Sequence, residues 1–153
     1  MTRSEDRFKP PALSQEAAIV LALAGTAVPF AASVEDEAER WLRVLRLHGQ
    51  VGVAMQALGI GETPLETVAQ PRAVRLLRRR AVGEDIVEIV ADRAGRLASG
   101  RTAGRISTVD ILFALFHVYG RTFDRALYSR GTTREELFER LAEPVDAAVA
   151  SDL

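Results

Sequence analysis

The side chains that could do chemistry in this chain are few, and their spacing favours binding over catalysis. Cysteine is absent, which excludes thiolate nucleophiles, disulfides and cysteine-ligated metal. Two histidines, His48 and His117, are too few for most histidine-based metal sites. Each falls near a helix end, where a polar or positive side chain complements the helix dipole. Glu35, Asp36, Glu37 and Glu39 cluster at one helix start. General acid–base work needs two carboxylates in different environments of a cleft, whereas acids in a first turn simply oppose the dipole. No Gly-x-Ser-x-Gly elbow occurs, and Ser107 and Asp110 are explained as capping residues. The expectation is a protein that is not an enzyme and uses no cofactor and no metal.

The densest charge is the run Arg72, Arg75, Arg78, Arg79 and Arg80. Arg72, Arg75 and Arg79 share one helical face. The run reads as a solvated linker between two halves, or as a contact for an acidic protein surface. Nucleic-acid binding would also call for nearby aromatics or a recognition helix. A helical nucleic-acid-binding regulator using Arg72–Arg80 is the alternative reading. Lys9 is the only lysine, and no glycine loop precedes it. The chain therefore lacks a phosphate loop of the Gly-x-x-x-x-Gly-Lys-Ser/Thr type.

The elements that position these residues follow from composition and period. The 153 residues, 48% hydrophobic and 27% charged with net charge -1, suit one soluble domain with its own core. A near-neutral balance gives no general attraction to nucleic acid or anionic membranes. Ala17 to Ala32 is apolar except for Thr26. Gly25 and Pro29 interrupt it and it is too short to span a bilayer, so it reads as a buried helix rather than a targeting segment. The expected location is cytoplasmic, without a membrane.

Ser14 caps a first helix that Pro29 ends. After Ser33, the apolar residues Ala38, Trp41, Leu42 and Leu45 lie on one face, with Trp41 in the core, and Gly49 ends that stretch. Val51, Ala54, Met55 and Leu58 repeat the pattern up to Gly59. Thr63-Pro64-Leu65-Glu66 is a helix start with a capping box. Ile86, Ile89, Val90, Ala94 and Leu97 form a further stripe. Ser107 opens a helix carrying Ile111, Leu112, Leu115, Phe116 and Tyr119. A short helix comes next with Phe123, Ala126 and Leu127, and Thr133 caps a last one. Strand alternation is missing throughout. The reading is all-α, with about eight helices.

The halves also match each other. Val51, Ala54, Met55, Gly59 and Leu65 correspond to Phe123, Ala126, Leu127, Gly131 and Leu137 at an offset of 72. Leu42 and Leu45 correspond to Leu112 and Leu115 at an offset of 70. One such unit cannot bury its apolar face alone, whereas two stacked units share a core.

Gly100-Arg-Thr-Ala-Gly-Arg-Ile-Ser-Thr-Val-Asp-Ile-Leu-Phe-Ala-Leu-Phe resembles the second repeat of the Clp N-terminal (Clp repeat) domain of AAA+ unfoldases. Arg125-Ala-Leu-Tyr-Ser-Arg-Gly-Thr-Thr-Arg-Glu-Glu-Leu is similar to the next segment of that repeat, where a leucine precedes a glycine by four residues and a capped helix succeeds it. Glu39-Arg40-Trp41-Leu42 stands where that family commonly has Glu-His-Leu-Leu, with Arg40 for the histidine and Trp41 for a leucine. The resemblance covers Leu13 to Glu143. It implies two tandem pseudo-symmetric four-helix repeats, residues 13–70 and 71–143, between tails 1–12 and 144–153. The ATPase modules that succeed this domain in the family are not matched. The resemblance therefore implies a protein- or peptide-binding module: an adaptor, decoy or regulator. Its partners would be a Clp-type unfoldase, a protease subunit, an adaptor or a substrate peptide, bound by a monomer or weak homodimer. Family members bind near the repeat junction, which singles out Glu39, Arg40, Arg75, Arg79, Tyr119 and Arg121 as contact residues.

Overall fold

Ser14, Ser33, Asp85 and Ser107 each close the first turn of a helix with a side-chain oxygen, satisfying backbone N–H groups that have no partner within the helix. In the computed structural model, which describes residues 11–60, 85–101 and 104–142, these caps set out the elements. Strand β1 is Ala12–Leu13, helix α1 Gln15–Ala27, and a 3-10 turn covers Val28–Phe30. Then come α2 (Val34–Leu45), α3 (Gly49–Ala57), α4 (Ile86–Gly100), strand β2 (Arg105–Ile106), α5 (Thr108–Tyr119), α6 (Arg121–Ser129) and α7 (Arg134–Ala142). The fold is mostly helical, with seven helices among the described residues.

Some boundaries differ from the sequence reading. Helix α2 ends at Leu45, short of Gly49. Gly49, at φ +72, instead begins α3. Its positive φ lets the chain reverse between the two helices, a conformation that a side chain disfavours. The helix start at Thr63, the joint at Gly83 and both tails apart from Pro11 and Ala12 lie outside the described residues. A parallel two-stranded pairing, Ala12 with Arg105 and Leu13 with Ile106, departs from the strand-free expectation. Two residues cannot display the period-2 alternation that announces a strand. The Ser14 N–H extends the pairing by donating to the Ile106 carbonyl at 2.9 Å.

Helix α5 is the central element. Ile111, Leu112, Ala114 and Leu115 are fully buried, and the helix packs against α1, α2, α3, α4 and α6. Its start is fixed by a reciprocal capping box. The Ser107 hydroxyl accepts from the Asp110 N–H, and the Asp110 carboxylate accepts from the Ser107 N–H at 2.9 Å. At its C-terminal end Phe116 meets Phe123 of α6 and Phe138 of α7 edge-on, with ring centroids 5.1 and 5.3 Å apart. Edge-to-face geometry sets the positive ring edge against the negative face of its neighbour. Elsewhere α1 packs on α2 and α4 on α5, while α2 packs on α6 and α3 on both α5 and α7.

Candidate functional site

Helix α2 carries two different faces. Ala38, Trp41, Leu42 and Leu45 point inward and are buried. Arg40 and Arg43 lie on the outer side, and Arg46, the C-cap residue, continues the row. Spacing of three stacks these arginines along the helix.

Behind α2, a chain of buried polar groups joins the halves of the sequence. The Trp41 indole N–H donates to the Tyr119 hydroxyl at 3.1 Å, and that hydroxyl donates to Glu37 Oε1 at 2.7 Å. All three residues are buried. Buried polar groups are tolerated when they are hydrogen-bonded to one another, and this set fixes α2 on α5. Trp41 is thus a core residue, as its spacing suggests. The Tyr119 hydroxyl is engaged inside the protein.

In front of α2 the surface opens into a cavity of about 290 Å³. Leu23, Thr26 and Ala27 of α1, Leu42 and Val44 of α2, and Leu47 and Ile60 beyond it supply its apolar lining. The charged residues lining it are Arg40, Arg43, Arg46 and Arg130, and among the described residues no acidic side chain lines it. Arg40, Arg46 and Arg130 are each held in place by hydrogen bonds. Arg40 Nη1 donates to the Ala27 carbonyl at 3.2 Å, and its Nε lies 3.2 Å from Asp36 Oδ1. The first contact places a cation at the C-terminal end of α1, where free carbonyls and the dipole attract it. Arg46 donates through Nε to the Ile60 carbonyl at 2.9 Å. Arg130, arriving from the end of α6, donates through Nε to Glu39 Oε1 at 3.0 Å. Among the described residues no carboxylate lies within ion-pair reach of Arg46.

A second cavity, about 330 Å³, is lined by Gln50, Arg101, Ser107, Phe113, Phe138 and Leu141 among others. It adjoins the fully buried carboxylate of Asp110. Arg101 donates to Asp110 Oδ1 through Nε at 2.9 Å and to Oδ2 through Nη2 at 2.6 Å. Ser107 donates to Oδ2 through both its N–H and its hydroxyl. Both carboxylate oxygens of Asp110 are thereby occupied in holding the approach to α5. Among the described residues no group of three histidine, aspartate or glutamate side chains could hold a metal. No helix among them is long and apolar enough to cross a membrane.

Of the residues singled out from the sequence, Arg40 lines the first cavity, and Glu39 holds Arg130 at its edge. Tyr119 is buried behind α2, and Arg121 is exposed at the start of α6. Arg75 and Arg79 lie outside the described residues, as does the rest of the Arg72–Arg80 run. Sequence reasoning missed Arg43, Arg46, Arg130, Leu23 and Leu47. The three-residue spacing of the α2 arginines was a readable signal, but nothing local connects them to Ile60 or Arg130. Compared with family models and with curated proteins, the chain matches none.

Proposed function

We propose that this chain is a non-enzymatic, cytoplasmic protein-binding module of the Clp N-domain kind. It would act as an adaptor, decoy or regulator of Clp-type unfolding and degradation. One observation carries the reading: the helices pack crosswise between the halves. Helix α2 rests on α6, and α3 rests on α5. In a molecule of two repeats, exchanging the halves turns one of these contacts into the other, with α2 matching α5 and α3 matching α6. Consecutive pairs agree, since α1 packs on α2 as α4 packs on α5. The Gly59 and Gly131 stops, both at positive φ, also fall in matching places.

Matching by caps gives a second register. Ser33 and Ser107 stand 74 residues apart, and the starts of α3 and α6 stand 72 apart. On this matching, Leu42 and Leu45 correspond to Phe116 and Tyr119 rather than to Leu112 and Leu115. The two-residue difference sits in the longer turn before Gly49.

Such a module binds by surface complementarity, with a few anchors carrying most of the energy. An affinity capture of the tagged full-length protein from its own host's lysate, read by mass spectrometry, tests the reading. Enrichment of a Clp-type unfoldase or protease subunit over a tag-only control is the expected result. Absence of every Clp component from the captured set would overturn it.

A further inference from the structure

The cavity in front of α2 combines an apolar floor with a lining whose charged side chains, among the described residues, are all arginines. Leu42, Val44 and Ile60 form much of the floor and are buried, while Leu23 and Leu47 are exposed at its mouth, 39% and 55% respectively. Arg40, Arg43 and Arg46 succeed one another along α2 over about 9 Å, from the rise of 1.5 Å per residue, and Arg130 joins from α6. Arg40 has Asp36 beside it, and Arg130 has Glu39. Arg46 is different: its Nε is tied to the Ile60 carbonyl, which orients the guanidinium, yet no carboxylate among the described residues neutralises it. Guanidinium groups beside apolar surface suit a carboxylate whose neighbours are apolar. Bases of a nucleic acid would instead want aromatic platforms, and among the described residues no aromatic side chain lines this cavity.

We infer that the α1–α2 groove is a docking site for a protein segment that carries an acidic side chain among large aliphatic ones. The aliphatic side chains enter between Leu23, Leu47 and Ile60, and a carboxylate meets Arg46. The inference rests on the binding-module reading and names the chemistry of the partner.

The test uses fluorescence anisotropy with the full chain and a fluorescein-labelled, end-blocked octapeptide of alternating leucine and glutamate. Matched peptides with glutamine or lysine in place of glutamate, and labelled oligo-dT, serve as comparators. The glutamate peptide is expected to bind at least fivefold more tightly than the glutamine peptide. The lysine peptide and oligo-dT should bind more weakly still. Rising salt should weaken binding of the glutamate peptide, because partly exposed charges are screened.

Arg46→Gln should lower affinity at least fivefold. Because this change also removes the bond to Ile60, Leu47→Ser provides a second probe at an exposed position; it should lower affinity about threefold with an unchanged melting temperature. Val53→Ser, exposed on α3 and outside the groove lining, should change nothing. Equal binding of the glutamate and glutamine peptides, stronger binding of oligo-dT, no binding by the parent protein, or undiminished binding by Leu47→Ser would each overturn the inference. The two proposals fail separately. Clp capture by a parent protein that does not bind the glutamate peptide removes the groove and leaves the module reading. Groove-dependent peptide binding without Clp capture does the reverse.

Discussion

Gly49 shows how tightly a single residue can be specified by its surroundings. It has φ +72, and a Cβ placed there would lie 2.7 Å from Thr108 Oγ1 and 2.8 Å from Thr108 Cγ2. The substitution Gly49→Ala therefore meets backbone strain and steric overlap together. It is expected to destabilise the protein by about 2–3 kcal/mol, measured by urea unfolding. Gly59 also has positive φ, but a Cβ added there would have nothing within 4 Å, so Gly59→Ala should cost less, roughly 1 kcal/mol. The sequence displays both as helix-stopping glycines and cannot distinguish them. The difference arises from Thr108, which is remote in the chain and arrives only with α5. The same holds for Tyr119: its spacing places it on an apolar face, but its hydroxyl bonds come from α2.

At the scale of elements, most helix starts were readable because capping is a local chemistry. Ser14, Ser33 and Ser107 are small polar residues placed just before an apolar period, and each caps the helix expected of it. Removing the hydroxyl in Ser107→Ala should cost about 1 kcal/mol. Thermal or urea unfolding would register the loss while far-UV circular dichroism stays close to that of the parent. The cap is reinforced because the Asp110 carboxylate keeps the Arg101 guanidinium and the Ser107 N–H as donors. Helix ends were less legible. The end of α2 at Leu45 and the start of α3 at Gly49 depend on how the turn between them is packed. A Cβ added at Gly52, for example, would lie 2.9 Å from the carbonyl oxygens of Leu45 and Arg46. The short β1–β2 pairing had no local signal, since its partners are remote in sequence and only two residues long.

For the whole molecule, stability depends on contacts between distant helices. Phe123 is fully buried and packs edge-on against Phe116, where α6 meets both α5 and α2. Phe123→Ala should cost about 3–5 kcal/mol, from lost transfer energy and the cavity left behind, a large share of the stability of a domain this size. A fall in the urea midpoint, or loss of a cooperative transition altogether, is the expected outcome. A change below about 1 kcal/mol, the middle of the range for point mutants, would mean that the packing of Phe123 on α5 contributes little. The α1–α2 groove belongs to this scale as well. Arg40, Arg43 and Arg46 are visible as a helical row in the sequence, yet Ile60 and Arg130 reach them only through the tertiary fold. The arginine run at residues 72–80 stands out in the sequence because its density is local, whereas the groove is assembled from parts that are individually ordinary.

The bond from the Trp41 indole to Tyr119 spans 78 positions of the chain. Trp41 is the sole tryptophan and is wholly buried, so the protein carries one built-in optical reporter at a place where distant parts of the chain meet. Closing so long a loop must precede the contacts that reward it. In a stopped-flow refolding trace, the blue shift of the indole therefore marks the docking of α2 on α5, while the far-UV ellipticity records the helices forming. Any lag between the two signals times the joining of the two halves of the chain.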